Sequence, residues 1–507
     1  MAGILDAPGL TRQQIRDTLF KGLPVIASRC MGFGSNGTNL SNGTDTSTTY
    51  RTMHVVMVSS TDFRLVYGNF YNGATSGPNS ITVNASMDAV QIAPTAAGSG
   101  GSAYQVSFGG LATVTIAPGR YVVSDPIPRN AVRGNYLYVR TNVGVASAGQ
   151  KWPLDMNTSA TNSEGAGASN TDCTGSGASC STTQGPAYGP LAILGTPAFG
   201  TGWPRTWGAV GDSILYGAGD NRAGVGSTGG ANGFFVQACV AANFGYQNVG
   251  HPGEQGSSFA VGNGFFTRLP QIAACTHVLD EYGHNDIYIG SQTVAAIQAT
   301  KISIWFMLAA RGIKVKTMTL TPCTTSTDCW ATLGNQTITS GNATRVSLND
   351  WIRDGAPMLN GVAVATGSNA AGTVRFGGSG HPAVGYFETA DTVESARDSG
   401  LWAITGVRTV ADGAINSSST TFTSATANFT QADKYRQIAI AGAGAAGAEL
   451  VTSIAGVTNA TTVTLSGAGA STTVSGTATG IGMLCIDGTH NSSDGHNLMA
   501  APLNLTA

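Results

Sequence analysis

The chain has 507 residues, of which only 10% are charged, and its formal net charge is -2. This balance gives no electrostatic footprint for nucleic acid or an anionic membrane, and no apolar run approaches the roughly 18 residues of a membrane span. We therefore expect neither nucleic acid nor membrane as a partner. Glycine occupies 70 positions, and Ser, Thr, Asn and Ala separate the apolar runs, as is typical of a β-rich protein with a neutral polar surface.

The first segment, residues 1–50, is predicted to be an arm and linker. It opens with a short helical pattern over residues 11–19, capped by Thr11, and then becomes rich in Gly, Asn, Ser and Thr. Its first residues lack the basic start of a secretory signal. We expect an extracellular or virion-associated protein that is either a mature form or leaves its cell by another route, such as lysis.

The second segment, residues 51–200, is predicted to be a β-sandwich domain followed by a linker. Short β-branched and aromatic runs alternate with turn residues at the spacing typical of a sandwich or jelly roll. The predicted strands are 53–58, 63–67, 81–87, 104–108, 113–116, 121–123 and 136–140. Residues 156–200 form the Ser/Thr/Gly/Asn-rich linker.

The eight cysteines allow two interpretations. Cys173 with Cys180 and Cys323 with Cys329 are close pairs in Ser/Thr/Gly loops, which is consistent with local disulfides in an oxidising compartment. Buried free thiols are the alternative, because such cysteines are common in protein cores. No cysteine or histidine cluster has zinc-ligand spacing, and neither a metal nor a cofactor is predicted.

From residue 201 onwards, strands alternate with helices, which predicts a parallel sheet covered on both faces. The predicted elements are strand 207–210, helix 234–242, strand 246–249, strand 277–282, helix 294–311, strand 313–320, helix 346–353 and strand 362–365. This domain comprises residues 201–403 and resumes at residues 483–507. Between them, residues 404–482 are predicted to be an inserted β-module with strands near 420–423, 437–441, 450–454 and 462–465.

Short polar and glycine-rich segments follow the predicted strands of this domain. They are Gly-Asp-Ser-Ile at 211–214, Asn-Val-Gly-His-Pro-Gly at 248–253, Gly-His-Asn-Asp at 283–286 and Asp-Gly-Thr-His at 487–490. Each alone is compatible with an ordinary turn. Parallel strands, however, present such segments at one edge of the sheet. There a carboxylate can orient an imidazole towards a serine, and an amide can stabilise an oxyanion.

Together these segments resemble the SGNH hydrolases, also called the GDSL esterase family. The matching patterns are Gly-Asp-Ser-Ile at 211–214, Asn-x-Gly-x-x-Gly at 248–253, Gly-x-Asn-Asp at 283–286, Asp-x-x-His at 487–490 and the following Gly-His-x-x-Met-Ala at 495–500. The resemblance covers residues 203–402 and 483–507. It implies an α/β domain with a flavodoxin-like three-layer fold and serine-dependent ester hydrolysis.

The resemblance also implies roles for individual residues. Ser213 would be the nucleophile, His490 the general base and then acid, and Asp487 the partner that orients His490. The N–H groups of Ser213 and Gly253 and the side chain of Asn285 would form the oxyanion hole.

Three further histidines have alternative interpretations. His496 is a rival base, because Asp494 lies two residues before it, but Ser493 and Asp494 are predicted to cap the last helix. The family places a non-catalytic histidine there. His251 and His284 could touch substrate or face solvent, and solvent is the favoured interpretation.

Both flanking β-regions carry weaker resemblances. The insertion at 404–482 ends shortly before Asp487, so it must stand beside the active-site mouth, and its Thr/Ala/Gly-rich sequence is similar to β-modules of bacteriophage tail fibres and tailspikes. That similarity implies a homo-oligomer, a trimer in the case of a phage tail protein. Strands within residues 123–140 are similar to the β-sandwich that precedes the hydrolase domain in some carbohydrate esterases.

The leading hypothesis is a serine esterase that removes acyl groups, O-acetyl groups foremost, from an acylated polysaccharide. Two flanking β-modules motivate this substrate, because a lipase for small soluble esters would not need them. The alternatives are a glycan-binding virion or cell-surface adhesin with a vestigial hydrolase domain, and a lipase or thioesterase.

Overall fold

The computed structural model describes residues 23–30, 40–70, 79–88, 103–154, 156–158, 163–175, 185–198, 204–221, 233–261, 268, 271–467 and 469–506. These residues form a mixed α/β protein with strand-rich sheets and a closed β-barrel. None of the helices within these ranges combines the length and apolar character that crossing a membrane requires. The helix predicted over residues 11–19 lies outside the described residues.

The N-terminal part is built from antiparallel strands. They are β1 (Val25–Cys30), β2 (Ser47–Val56), β3 (Ser60–Gly68), β4 (Ile81–Met87), β5 (Tyr104–Gln105), β6 (Thr113–Ile116), β7 (Tyr121–Val123), β8 (Tyr136–Gly144), β9 (Met156–Thr158), β10 (Gly165–Ala166), β11 (Gly185–Ala187) and β12 (Ala192–Pro197). Each strand predicted between residues 53 and 140 overlaps an observed strand, although β5 covers only the first two residues of the predicted strand 104–108 and β2 ends at Val56. Strands β2 and β8 reach further than predicted, because they pair continuously from Ser47 opposite Gly144 to Val55 opposite Tyr136.

The second part alternates strands and helices. Its elements before the barrel are β13 (Thr206–Val210), α1 (Ser213–Tyr216), α2 (Phe234–Ala242), β14 (Gly245–Asn248), α3 (Gly256–Val261), β15 (His277–Asp280), α4 (His284–Tyr288), α5 (Val294–Ala309), β16 (Lys314–Met318), β17 (Thr324–Ser326), β18 (Gln336–Ile338), α6 (Asn342–Arg353), β19 (Met358–Leu359), β20 (Val362–Ala363), β21 (Ala383–Phe387) and α7 (Ala390–Val393). Helix α2 has the predicted bounds, and α5 begins at its predicted residue.

Five of these strands form a parallel sheet in the order β14-β13-β15-β16-β21. Successive side chains of a strand point to opposite faces. Trp207 and Leu279 therefore join the apolar cluster that includes α2, whereas Val278 and Val315 join the cluster that includes α3, α5 and α6. Helices thus cover both faces of this sheet.

The edge strand of the parallel sheet differs from the prediction. Residues 362–365 were expected to supply a strand, but Val362–Ala363 pairs only with Met358–Leu359 in a small antiparallel hairpin. The edge strand is β21 (Ala383–Phe387), which pairs in parallel with residues 315–318 of β16. The prediction was wrong because a glycine interrupts the edge strand and glycine-rich sequence precedes it.

Strand β1 connects the two parts of the chain. Ala27 pairs antiparallel with Val56 of β2, whereas Arg29 and Cys30 pair in parallel with β14 of the second part. The segment assigned to an arm and linker from its composition therefore contains a sheet strand. The segment assigned to the later linker contains strands as well, among them β12, which pairs with β1 and β3.

Residues 408–481 form a closed barrel in the order β22-β23-β26-β25-β24-β27. Its strands are β22 (Arg408–Ile415), β23 (Thr421–Thr423), β24 (Gln437–Ile440), β25 (Leu450–Asn459), β26 (Thr462–Leu465) and β27 (Val474–Ile481), and the chain ends with helix α8 (Ser493–Ala500). The strands predicted in this region are confirmed. The interior is packed with apolar side chains such as Phe422, Ile438 and Ile454, so the barrel has a core of its own.

Two polar contacts attach the barrel to the α/β part. Arg436, next to β24, pairs with Asp494 in the first turn of α8 at 2.7 Å. The Cys329 thiol, in the loop between β17 and β18, donates to Glu449 at 2.8 Å. The barrel therefore touches both the last helix and the β17–β18 hairpin.

Candidate active site

Ser213 lies at the start of α1, three residues beyond the end of β13. The Asp212 carboxylate caps this turn by accepting from the Ile214 N–H at 2.9 Å. The Asp212 N–H in turn donates to Glu281 Oε2 at 2.8 Å. A Cβ at Gly211 would lie 2.3 Å from the same oxygen, so only glycine allows this close approach. The sequence Gly-Asp-Ser thus gives a tight turn that rests on a buried carboxyl group.

The loop after β14 packs directly against this serine turn. Asn248 Nδ2 donates to the carbonyl of Leu215 at 2.7 Å, while its Oδ1 accepts from the Gly250 N–H at 2.9 Å. The His251 N–H donates to the carbonyl of Gly211 at 2.8 Å. The asparagine and the first glycine of this segment therefore hold the loop beside Ser213.

The segment after the barrel forms a tight loop that carries both Asp487 and His490. The Ile486 N–H donates to the His490 carbonyl at 3.0 Å, and Asp487 Oδ1 accepts from the His490 N–H at 2.8 Å. Gly488 has a φ of +95°, and a Cβ there would lie 1.9 Å from the Thr324 carbonyl oxygen. Glycine is therefore required between the two polar residues.

A continuous hydrogen-bond chain joins the three predicted triad residues. Asp487 Oδ2 lies 2.6 Å from His490 Nδ1, and His490 Nε2 lies 2.7 Å from Ser213 Oγ. Ser213 is 8% exposed, whereas the side chain of Asp487 is about half exposed to solvent. Such a chain can transfer the serine proton to the imidazole while the carboxylate orients and stabilises the resulting imidazolium.

The charge states within this chain suit proton transfer. Burial alone would raise the pKa of Asp487, but the hydrogen bonds and charge of His490 hold it below its ordinary value. Burial alone would lower the pKa of His490, but Asp487, together with the charge of Asp212, raises it above its ordinary value of 6.5. The carboxylate is therefore ionised at neutral pH, and the pKa of the imidazole lies above its ordinary value.

The two predicted oxyanion donors outside the serine turn are also linked. Gly253 is exposed, has a φ of +79°, and faces open space where a side chain would stand. Asn285, near the start of α4, is 5% exposed, and its Nδ2 donates to the carbonyl of Glu254 at 3.1 Å. One of the two hydrogens of the Asn285 amide is thus bound beside Gly253.

Two buried acids beneath the serine turn were missed from the sequence. Burial raises the pKa of Asp212 to about 6, against the hydrogen bond from the Ile214 N–H and the charge of His490. Burial and the neighbouring Asp212 raise the pKa of Glu281 well above its ordinary value. The available signal was an acidic residue, Glu281, directly after a strand and next to Asp280.

His284 and His251 occupy different surroundings. His284 is 1% exposed, so the solvent-facing interpretation is wrong for it. Its ring packs on Tyr288 with centroids 4.6 Å apart, and burial together with the charge of His490 lowers its pKa to about 3. His251 is half-buried, and burial with the nearby Arg268 lowers its pKa to about 4. Both imidazoles are neutral at physiological pH.

His496, the rival base, is not part of the hydrogen-bond chain from Asp487 through His490 to Ser213. Its Nε2 hydrogen-bonds the Ala218 carbonyl at 3.0 Å, its Nδ1 accepts from the Phe234 N–H at 3.3 Å, and its ring is fully buried. The cap of α8 is Ser492, one residue earlier than predicted, because its side chain accepts from the Gly495 N–H. His496 therefore fastens α1 and α2 to the last helix.

The proposed disulfide between Cys323 and Cys329 is absent. Both are free thiols, and each has a different polar neighbour: Cys323 lies 3.5 Å from Thr489 Oγ1, and Cys329 binds Glu449. Of the two interpretations left open by the sequence, free thiols are the one found for this pair. Cys180, the partner expected for Cys173, lies outside the described residues.

In the part of the chain that the structure describes, no group of three or more His, Cys, Asp or Glu side chains is placed to hold a metal ion.

No family model matches the chain, and no curated protein matches it either. Solved structures do. A GDSL-like lipase from Bacteroides thetaiotaomicron is 12% identical over 60% of this chain and 87% of its own, with a TM-score of 0.28. A carbohydrate esterase family 2 enzyme with a carbohydrate binding domain from Corynascus thermopiles is 13% identical over 63% and 85%, with a TM-score of 0.22. A family 2 carbohydrate esterase from Cellvibrio japonicus is 11% identical over 58% and 75%, with a TM-score of 0.21. These three solved structures are thus a GDSL-like lipase and two family 2 carbohydrate esterases.

Proposed function

We propose that this protein is a serine esterase that removes acyl groups, O-acetyl groups foremost, from a polysaccharide. The observation that carries the proposal is the unbroken hydrogen-bond chain from Asp487 through His490 to Ser213, with links of 2.6 and 2.7 Å. A serine hydroxyl is a weak nucleophile until a neighbouring base removes its proton, and this chain supplies an oriented base.

In the proposed reaction, Ser213 Oγ attacks the ester carbonyl while His490 accepts its proton. The N–H groups of Ser213 and Gly253 and the Asn285 amide receive the negative charge that develops on the carbonyl oxygen. Collapse of the tetrahedral intermediate releases the sugar hydroxyl, which takes the proton from His490. A water molecule activated by His490 then attacks the acyl-enzyme, and the carboxylic acid leaves.

The strand order and helix coverage of the α/β domain support a flavodoxin-like three-layer SGNH fold. With the strands numbered along the domain, the parallel order is 2-1-3-4-5, the order typical of that doubly wound fold. In such folds, ligands bind at the carboxyl ends of the strands. Ser213 follows the carboxyl end of β13. Asp487 and His490 lie in the segment through which the polypeptide returns from the barrel to the α/β domain.

A polysaccharide substrate is supported by the modules around the site. The barrel ends at Ile481, a few residues before Asp487, and its surface is rich in Thr, Ser and Gly rather than charge. Neutral hydroxyl-bearing surfaces suit neutral glycans through hydrogen bonding. We place the activity outside the cell or on a virion, where an acylated polysaccharide would be met, and we propose a homo-oligomer, a trimer in the phage-tail case.

Acetate release from acetylated glycans tests the proposal. Ser213→Ala should abolish release while the thermal unfolding curve is retained, and Ser258→Ala, on the exposed surface of α3, serves as the matched control with full activity. Tight glycan binding without turnover of glycan or p-nitrophenyl acetate would instead favour an adhesin. A rate that increases with acyl chain length would favour a lipase or thioesterase.

A further inference from the structure

The two proposed oxyanion donors outside the serine turn come from different parts of the chain. Gly253 lies on the loop after β14, and Asn285 lies near the start of α4. An oxyanion hole works only when its donors are held in a fixed relative position before the reaction. A contact that joins these two segments is therefore a candidate for a positioning role.

Glu254 makes that contact twice. Its backbone carbonyl accepts from Asn285 Nδ2 at 3.1 Å. Its carboxylate accepts from the phenol hydroxyl of Tyr282, three residues before Asn285 along the chain. The residue that follows Gly253 is thus bound both to the Asn285 side chain and to the segment that carries it.

The Glu254 carboxylate is itself held by a buried guanidinium. Arg268 Nη1 lies 2.5 Å from Glu254 Oε2, and Arg268 Nη2 lies 2.5 Å from Oε1, a two-pronged arrangement. The Arg268 and Glu254 side chains are 2% and 8% exposed. Arg268 also donates to the Tyr282 hydroxyl at 3.0 Å. The three side chains form a closed network, which we call the Glu254 brace.

Stability alone does not account for such a network. Taking an ion pair out of water costs about as much as the pairing returns, and well-packed apolar side chains would often stabilise a fold as well or better. A two-pronged Arg–carboxylate pair does, however, restrict geometry more than apolar packing does. Burial and the adjacent Glu254 carboxylate also raise the pKa of Tyr282 well above its ordinary value, so its hydroxyl remains a donor.

We propose that Glu254, held by Arg268 and Tyr282, is a positioning residue that sets the distance between the Gly253 N–H and the Asn285 amide. This inference rests on the proposed esterase function. One hydrogen of the Asn285 amide is bound to the Glu254 carbonyl, which directs the other hydrogen towards the site of the developing oxyanion. The brace touches neither substrate nor nucleophile and acts only through the two donors.

Tyr282→Phe tests the brace with the smallest change, because it removes one hydroxyl and leaves the Arg268–Glu254 ion pair in place. We expect kcat to fall about 10-fold while KM changes less than about 2-fold, since donors displaced by a fraction of an ångström lose transition-state binding. Tyr188→Phe is the matched control. Its hydroxyl is also buried and donates to the Gly68 carbonyl in the N-terminal part, so it has a similar stability cost and should keep full kcat.

A double-mutant cycle separates positioning from general destabilisation. If Tyr282 acts through Asn285, Tyr282→Phe should slow the Asn285→Ala enzyme clearly less than it slows the wild type. Equal slowing in both backgrounds, or wild-type kcat in Tyr282→Phe, would overturn the positioning role while the esterase function stands. Absence of ester turnover by the wild-type protein would overturn both.

Discussion

The Asp212 N–H donates to Glu281 Oε2 at 2.8 Å, so a buried carboxyl group lies directly beneath the turn that carries Ser213. Glu281 is 1% exposed, and its charged neighbours are Asp212, Asp280 and Lys301. Because burial disfavours the charged form and two of these three neighbours are acids, ionisation of Glu281 is opposed. The protonated form of this side chain can still accept the Asp212 N–H through its carbonyl oxygen.

Glu281→Gln should therefore change how stability depends on pH. The pKa of Glu281 is raised in the folded state, so the folded protein holds a proton that the unfolded chain releases, and the free energy of unfolding falls as pH rises. The variant loses this contribution and should be more stable than wild type at alkaline pH, where each unit by which the folded-state pKa exceeds the unfolded one corresponds to about 1.4 kcal/mol. Urea unfolding at several pH values measures this, and parallel curves for the two proteins would contradict it.

The pH profile of activity should report His490. Its neutral imidazole is the proposed base, and Asp487 raises its pKa above 6.5. We expect kcat/KM to reach a plateau at alkaline pH and to fall as pH decreases through a midpoint above 6.5. Initial rates on p-nitrophenyl acetate, corrected for spontaneous hydrolysis, give the midpoint. A rate independent of pH across this region would rule out a histidine base.

Asn285→Ala should slow the enzyme without abolishing turnover. Loss of one oxyanion donor typically raises the barrier by about 2.7–4 kcal/mol, which lowers kcat by about 10²–10³-fold. KM should change little, because the donor acts on charge that exists only in the transition state. Steady-state kinetics on acetylated glycan provide both constants. A rise in KM with an unchanged kcat would assign Asn285 to ground-state binding.

Asp487→Asn and Asp494→Asn should differ sharply. Asp487 binds the His490 ring at 2.6 Å, and its replacement should lower kcat by up to about 10⁴-fold through loss of the oriented tautomer. Asp494 forms a partly exposed pair with Arg436, which is worth about 1 kcal/mol of stability at most. Its replacement should leave kcat unchanged. Comparable losses in both variants would favour His496 as the base.

The proposed site residues could be named from the sequence because they stand in short motifs that resemble those of the SGNH hydrolases. Each lies in a short segment after a strand, and the glycines beside them, such as Gly211 and Gly488, are required by close backbone approaches. Helix α5 could be found because its residues run for several turns up to a terminal glycine, Gly312.

Other features depend on contacts between distant residues. Nothing near Arg268 indicates that it faces Glu254, and the free state of Cys323 follows from neighbours on another loop. The edge strand Ala383–Phe387 contains a glycine, and its identity depends on pairing with β16. Such relationships arise from tertiary structure, which overrides local propensity.

The parallel pairing of β1 with β14 limits how this protein can be divided. A polypeptide that began at residue 204 would contain every proposed catalytic group, yet one side of β14 would present bare N–H and carbonyl groups to solvent. Exposed strand edges of this kind recruit other chains and lead to aggregation. The shortest fragment that folds and remains monodisperse should therefore include residues 25–30, although these residues lie far from Ser213 in the sequence.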